Sequence, residues 1–362
     1  MLLKFSRIYT PLLLLLFSAN IFANPVGKSD GSKEFDVNEM IMHHIKDAHE
    51  FHIMDIDGHA VSFPLPIILW TDNGLVTFLS SEFNHNDSGE VIVERKGQEF
   101  IKYHEKIFYA NNTGGDKYVA YDVSGNVANK KPLDLSITKM VFSMFLSMLL
   151  LILIFVATAR TYSRSKKGEP TGLGKFTEPL VMFIKDEVAL PMIGEKNYQK
   201  YMPFLLTLFF FIWINNVMGL IPFFPFSANL SGNIAFTFVL AAITFIITTV
   251  VGNKDYWKHI FWMPGIPVPM KLFLAPIEFL GIFIKPISLM IRLFANISAG
   301  HIIILSLISL IFIFKSLWLA PASLFFSVFI SLIEVLVVAI QAYIFTMLSA
   351  LYIGSAIEEH EH

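Results

Sequence analysis

Residues Ile277–Phe314 read IEFLGIFIKPISLMIRLFANISAGHIIILSLISLIFIF, an apolar run broken by few ionisable groups: Glu278, Lys285, Arg292 and His301. A membrane-spanning helix needs about 20 apolar residues. At about 1.5 Å per residue, a continuous helix over this run is on the order of 50 Å long, against a hydrocarbon core of about 30 Å. A second run, Ala322–Ile357, is overlong in the same way. Pro286 offers a place to bend the first, but a shared steep tilt accounts for both at once. The segment KSLWLAP, from Lys315 to Pro321, joins them. Two long, tilted helices forming an antiparallel hairpin are therefore predicted.

Polar and ionisable groups at such depth are energetically expensive. Arg292 lies near the middle of its run, too far from either end for its side chain to reach the headgroups. In an antiparallel hairpin, residues at equal depth have numbers with a constant sum. The pairs Arg292 with Gln341 and His301 with Glu334 give sums only two apart, and their midpoint falls within the Lys315–Pro321 turn. Nine residues of helix make two and a half turns, so Arg292 and His301 face opposite sides, whereas Glu334 and Gln341, seven apart, share one. Ser288, Asn296 and Ala299 lie toward the Arg292 side, and side chains of that size let another helix approach closely. The mate for Arg292 is either an ion-pair partner within the chain or a carboxylate on another subunit. No acidic residue of this chain stands at its depth, which favours the second. His301 and Glu334 are residue types able to exchange protons when buried. They read either as a relay or as a polar contact holding the hairpin.

A composition 54% hydrophobic and only 15% charged excludes an ordinary soluble protein of this length. The formal net charge of -2 leaves no basic excess for nucleic acid. The absence of cysteine removes disulfides, thiolate metal sites and thiol nucleophiles. Outside the hairpin, Ile137–Ala159 is long enough to cross and is closed by Arg160, Arg164, Lys166 and Lys167, which put that end in the cytoplasm. Gly168–Lys200 mixes apolar and charged residues as a helix along the surface does. Crossings at Pro203–Ile221 and Asn233–Val251 follow. The uncharged connection Pro222–Gly232 lies outside, while Lys254, Lys258 and Lys271 mark a cytoplasmic loop. The fold class is an all-α polytopic membrane protein of about five membrane helices, with a cytoplasmic C-terminus.

Ahead of the membrane domain, residues 135–362, two further segments stand out. Lys4 and Arg7, a short leucine run, and then Ser18, Ala19 and Ala23 have the layout of a signal peptide, residues 1–23. A retained anchor is the alternative, which the shortness of the run disfavours. Residues 24–134 read as a small extracytoplasmic module, mixed α/β or β-rich. Gly58, Asn73-Gly74, Asp87-Ser-Gly89 and Asn112-Thr-Gly-Gly115 punctuate short runs such as Val91-Ile-Val-Glu and Phe100-Ile-Lys-Tyr, the pattern of hairpins. Val37–His49 reads as a helix capped by Asp36. His43, His44, His49 and His52 could be brought together around a metal, but no compact supporting ligand set accompanies them. No metal and no cofactor is expected.

The string KPISLMIRLFANISAGH, from Lys285 to His301, then Ile340-Gln-Ala-Tyr-Ile-Phe345 and the terminal Glu358-Glu-His-Glu-His, resembles subunit a of the F-type ATP synthase. Asn216-Val-Met-Gly-Leu-Ile-Pro222, Glu278 seven residues before Lys285, and His43-His44 add to the likeness, which covers roughly residues 135–357. The resemblance implies a multi-pass stator subunit of the bacterial inner membrane, beside a rotating c-ring and b-type peripheral stalk subunits. Two offset half-channels would carry H+ to and from the carboxylates of the ring. Arg292 matches the essential arginine that attracts a deprotonated ring carboxylate and blocks direct leakage. Asn296 and Gln341 match polar residues beside it, and His301 and Glu334 match the outer half-channel pair. Glu278, Ser288 and Asn216 are secondary candidates.

Two departures stand out. Familiar relatives carry the acid on the arginine helix and the histidine on the last helix, whereas here the two are exchanged. The leader and the insertion at about residues 50–130 are also additional to the compact pattern. The rival readings are a self-contained proton-coupled secondary transporter, whose internal repeats are not evident, and an intramembrane hydrolase, which lacks a paired-histidine motif or an obvious nucleophile.

Overall fold

A computed structural model describes residues 46–358 except 57–58, 112–117, 165–170, 222–223, 264 and 315–317. The signal-like leader, His43, His44 and the tail beyond Glu358 lie outside the described residues, as does most of the helix expected at Val37–His49. The chain divides into two units. One holds the described residues up to Ser143 together with Ile221–Ala228, and the other holds Met144–Leu220 and the residues from Asn229 on.

The first unit is built from short antiparallel strands. β1 (Glu50–Ile56) pairs with β2 (His59–Pro64). β3 (Pro66–Thr71) lies between β4 (Gly74–Leu79) and the two-residue β8 (Leu133–Asp134). β5 (Val93–Arg95), β6 (Gln98–Tyr103) and β7 (Lys106–Tyr109) form a meander. Asn73-Gly74 turns the chain as read, with Gly74 at φ 90° where β3 turns into β4. A turn not among those read, Lys96-Gly97, takes φ 52° and 70° between β5 and β6, a twist that suits a two-residue hairpin. Alternation fills the core, with Ile67, Leu69, Val76 and Phe78 turned inward onto Phe83, Val93, Phe100 and Ile107.

One expectation fails here. Lys46–His49 is irregular, not the end of a helix. Ala48 O accepts the Lys139 N–H at 2.8 Å, and Asp47 Oδ1 accepts that of Met140 at 3.1 Å. These residues therefore satisfy the open amides of the first membrane helix, a capping role that an extended segment fills and a continuing helix cannot. Beside them, Phe51 packs edge-on against Phe142 and Phe224, with ring centroids 5.6 and 5.3 Å away.

Among the described residues the α-helices are α1 (Lys139–Arg164), α2 (Gly174–Ile184), α3 (Leu190–Ile193), α4 (Tyr198–Gly219), α5 (Ile234–Val251), α6 (Lys254–Phe261), α7 (Val268–Phe314) and α8 (Ala320–Ile357). Five of them, α1, α4, α5, α7 and α8, are long and apolar enough to cross a membrane. The stretch expected along the surface is helical but interrupted by a π turn at Lys185–Ala189. One side of it, Ile184, Val188, Ala189 and Ile193, lies in the same core as α4 and α8. Gly354 permits this approach, since a Cβ there would stand 1.8 Å from the Met192 carbonyl oxygen. α7 starts at Val268, ahead of its apolar run, and continues through Pro276 and Pro286. Pro269 sits in its first turn, where a missing N–H has no helical partner to lose.

Candidate functional site

The site is carried by α7 and α8. On α7, Leu289, Leu293 and Ile297 recur every four residues and are buried in the core, which fixes the azimuth of the whole helix. The opposite strip consequently faces outward: Ser288, Ala295, Asn296 and Ala299 are exposed, with Arg292 partly so. Arg292 makes no hydrogen bond or ion pair among the described residues. It stands in a strip of small side chains with no acidic group paired to it among the described residues.

Contacts between α7 and α8 run in opposite chain senses. Asn296 Nδ2 donates to Gln341 Oε1 at 2.7 Å, His301 Nε2 stands 3.8 Å from Glu334 Oε1, and Ser323 Oγ donates to Leu307 O. Gln341, matched in depth with Arg292, is thus bonded one turn further along, to Asn296. Gln341 is buried, and its Nε2 has no hydrogen-bond partner among the described residues. Glu334 is only 4% exposed, and both its carboxyl oxygens lack hydrogen bonds among the described residues. Its space comes from Gly300, where a Cβ would lie 2.5 Å from Glu334 Oε1.

On the other side of Arg292 along α7, a polar cavity of about 190 Å³ is lined by Glu278, Lys285, Tyr256, His259, Ser355 and Glu358. Asn253 builds it. This residue caps α6 by accepting the Tyr256 N–H, and its Nδ2 donates to the carbonyl oxygens of Ile357 and Glu358 at 3.3 and 3.0 Å. α6 is thereby pinned to the end of α8, and its Tyr256 and His259 line the cavity together with Glu278. The sequence reading singled out Glu278 but missed Tyr256, His259 and Ser355. The available signal was an asparagine cap opening a short amphipathic helix, which fixes the helix but not what it packs against. Asn216 is buried in α4 with its Nδ2 unbonded among the described residues, and no hydrogen bond joins it to Arg292 or Gln341. Its neighbour Asn215, also buried, donates to Phe211 O at 2.7 Å. His49 belongs to another setting, bonded through Nε2 to Asp134 at 3.2 Å.

Two family models match. One, described as ATP synthase A chain, covers residues 141–354, and the other, a domain of unknown function (DUF8433), covers residues 40–135. The chain is 43% identical over 235 residues to ATP synthase subunit a of Chloroherpeton thalassium, covering 63% of this chain and 69% of that one. It is 40% identical to the subunit a of an Anaeromyxobacter species (strain Fw109-5), covering 67% of this chain and 60% of that relative, which is less than two thirds of its length. Against the subunit a of Anaeromyxobacter dehalogenans it is 35% identical over 288 residues, 77% of this chain and 73% of that one. With more than half of its residues inside the first model, the chain belongs to the ATP synthase subunit a family.

Proposed function

We propose that the chain is the proton-translocating stator subunit of an F-type ATP synthase, in which ion flow past Arg292 turns a ring of c subunits. The observation that carries this reading is the order of polar sites along α7. The Glu278–Lys285 cavity, the outward-facing Arg292 and the His301–Glu334 pair succeed one another along one helix. Lys285 and His301 stand about 10 and 14 Å from Arg292 along its axis. Each end offers a polar site within a hydrophobic element, and a cation stands between them.

In this reading α7 and α8 form a tilted antiparallel hairpin against the ring. His301 and Glu334 take protons from the outer side, and the cavity lined by Glu278 and His259 releases them on the cytoplasmic side. Arg292 attracts the deprotonated carboxylate of each arriving ring subunit, and its fixed charge repels a proton that would otherwise pass straight between the two sites. The exposed small residues at Ser288, Ala295 and Ala299 leave room for a partner helix at close range. The host membrane is the bacterial inner membrane, with the strand module periplasmic, the C-terminus cytoplasmic, and b-type peripheral stalk subunits holding the chain against rotation.

Arg292→Ala is expected to abolish proton-driven ATP synthesis in inverted vesicles while the complex still assembles. Unchanged coupled synthesis in that variant would refute the role of Arg292. Recovery of the chain from native membranes without a c-ring would remove the stator reading altogether.

A further inference from the structure

The sheet β4-β3-β8 has one face in the core of its unit and one face bare. Across the bare face, Trp70 is registered with Leu75 on one side and Leu133 on the other. These three are 58%, 45% and 61% exposed. The next row pairs Ile68 with Thr77, and Leu135 N–H donates to Ile68 O at 2.9 Å. In the last row Pro66 is registered with Leu79, and Ile137 N–H donates to Pro66 O at 3.1 Å. This face carries one hydroxyl and no charge. An antiparallel sheet with its second face in water normally alternates to polar residues there, so this face departs from the pattern of a solvated one.

We infer that this face rests on the outer leaflet of the membrane, so that the module is a monotopic lipid-binding element as well as an extension of the chain. The inference relies on the reading of α1 as a membrane crossing. The argument is continuity: the rows step along the chain through Leu133, Leu135 and Ile137 into α1, whose first residue is Lys139. At about 3.3 Å per residue, even Leu133 is separated from α1 by at most roughly 20 Å of chain. The junction is tied down by the bonds of Lys139 and Met140 to Ala48 and Asp47. Tryptophan is the side chain enriched at the boundary between headgroups and hydrocarbon. At the edge of the Trp70 row, the Lys96 ammonium donates to Leu75 O at 2.8 Å, which sets a cation where lipid phosphates would lie.

The chain has no cysteine, so single spin labels can be placed without altering a native residue of that type. The labelled positions are Leu75→Cys and Leu133→Cys on the face, Leu149→Cys on the exposed side of α1 as a lipid reference, and Ser124→Cys in an exposed turn as a water reference. The full chain, within its native complex, is reconstituted in phosphatidylcholine–phosphatidylglycerol nanodiscs and probed with oxygen and with a water-soluble nickel chelate. The expected result is an oxygen-to-nickel accessibility ratio at Leu75 and Leu133 close to that of Leu149 and several-fold above that of Ser124. A ratio like that of Ser124 puts the face in water and overturns the inference. Exclusion of both reagents means that protein covers it, whether another subunit, a second copy or residues 1–45, and overturns it equally. If Leu149 itself behaves as water-exposed, the crossing assigned to α1 is wrong and the inference falls with it. A lipid-like Leu149 beside a water-like Leu133 removes the inference alone.

Discussion

The two units bury charge in opposite ways. In the strand module Lys102 is 2% exposed, yet its ammonium stands 3.4 Å from Glu50 Oε1 and 3.7 Å from Glu105 Oε1. Glu105 is held there by a backbone with φ 59°, an uncommon conformation for a side-chain-bearing residue, and its N–H donates to Asp87 Oδ1 at 2.7 Å. In the membrane unit Glu334 is buried almost as deeply, but the basic group beside it is only the His301 imidazole at 3.8 Å, and no hydrogen bond reaches its oxygens among the described residues. Arg292 makes no hydrogen bond or ion pair among the described residues. A buried charge surrounded by counter-charges belongs to the fold, because removing one member strands the others. A buried acid with vacant oxygens, or an arginine in an apolar helix without a partner, contributes little to holding the chain together and is poised for something that arrives.

That contrast can be broken by exchanging the two outcomes. Lys102→Met leaves Glu50 and Glu105 buried without their cation, and its expected cost is about 3–5 kcal/mol of module stability. Faster hydrogen exchange at the Phe100 and Ile101 amides in the intact complex is the measurement, and protection within about 1 kcal/mol of the original would show that the cluster is not structural. Glu334→Gln is expected to do the reverse: proton flux falls at least about tenfold, equivalent to about 1.4 kcal/mol of barrier, while thermal stability of the complex hardly moves. Full flux with lost stability would assign Glu334 to the fold instead.

The smallest effect expected is on acidification. Burial alone would raise the Glu50 pKa, but the Lys102 ammonium and then the hydrogen bonds from Ser62 and His85 outweigh it and hold the carboxyl below its ordinary value. Asp134 is likewise held low, burial being outweighed by its bonds with His49 and Ser136. A carboxyl with a lowered pKa in the folded state stabilises the fold fully above its unfolded pKa, near 4, and that contribution disappears as pH falls through the folded value. The module is therefore expected to keep its protection down to about pH 5 and to lose it progressively below about pH 4. Loss of protection already between pH 7 and 5 would contradict this pairing.

What the sequence made legible follows from how local each signal is. The five helices long and apolar enough to cross a membrane, the overlong pair α7 and α8, and the depth match of His301 with Glu334 rest on apolar length and helical rise alone. Those quantities depend on consecutive residues. Strand positions near Val93 and Phe100, and the turn at Asn73-Gly74, were readable for the same reason. The irregular Lys46–His49 was not, because its conformation is set by amides of Lys139 and Met140 more than 90 residues away. Nor was the cavity at Glu278, whose lining depends on Asn253 reaching the carbonyls at the end of α8. Gly300 and Gly354 look alike as letters, and only packing reveals that one makes room for a carboxylate and the other for a backbone.

The continuity of α7 also constrains how this chain can vary in length. One residue inserted between Lys285 and His301 turns everything beyond it by about 100° and shifts it by about 1.5 Å. Such a change would carry Arg292 or His301 off its own side of the helix, and even a four-residue insertion, which nearly restores the azimuth, moves the two ends about 6 Å apart. Helix α8 is bound by the same ruler through Gln341 and Glu334. Gains and losses of residues across descendants of this gene should therefore gather in the connections and in the module, leaving the span from Glu278 to His301 fixed in length.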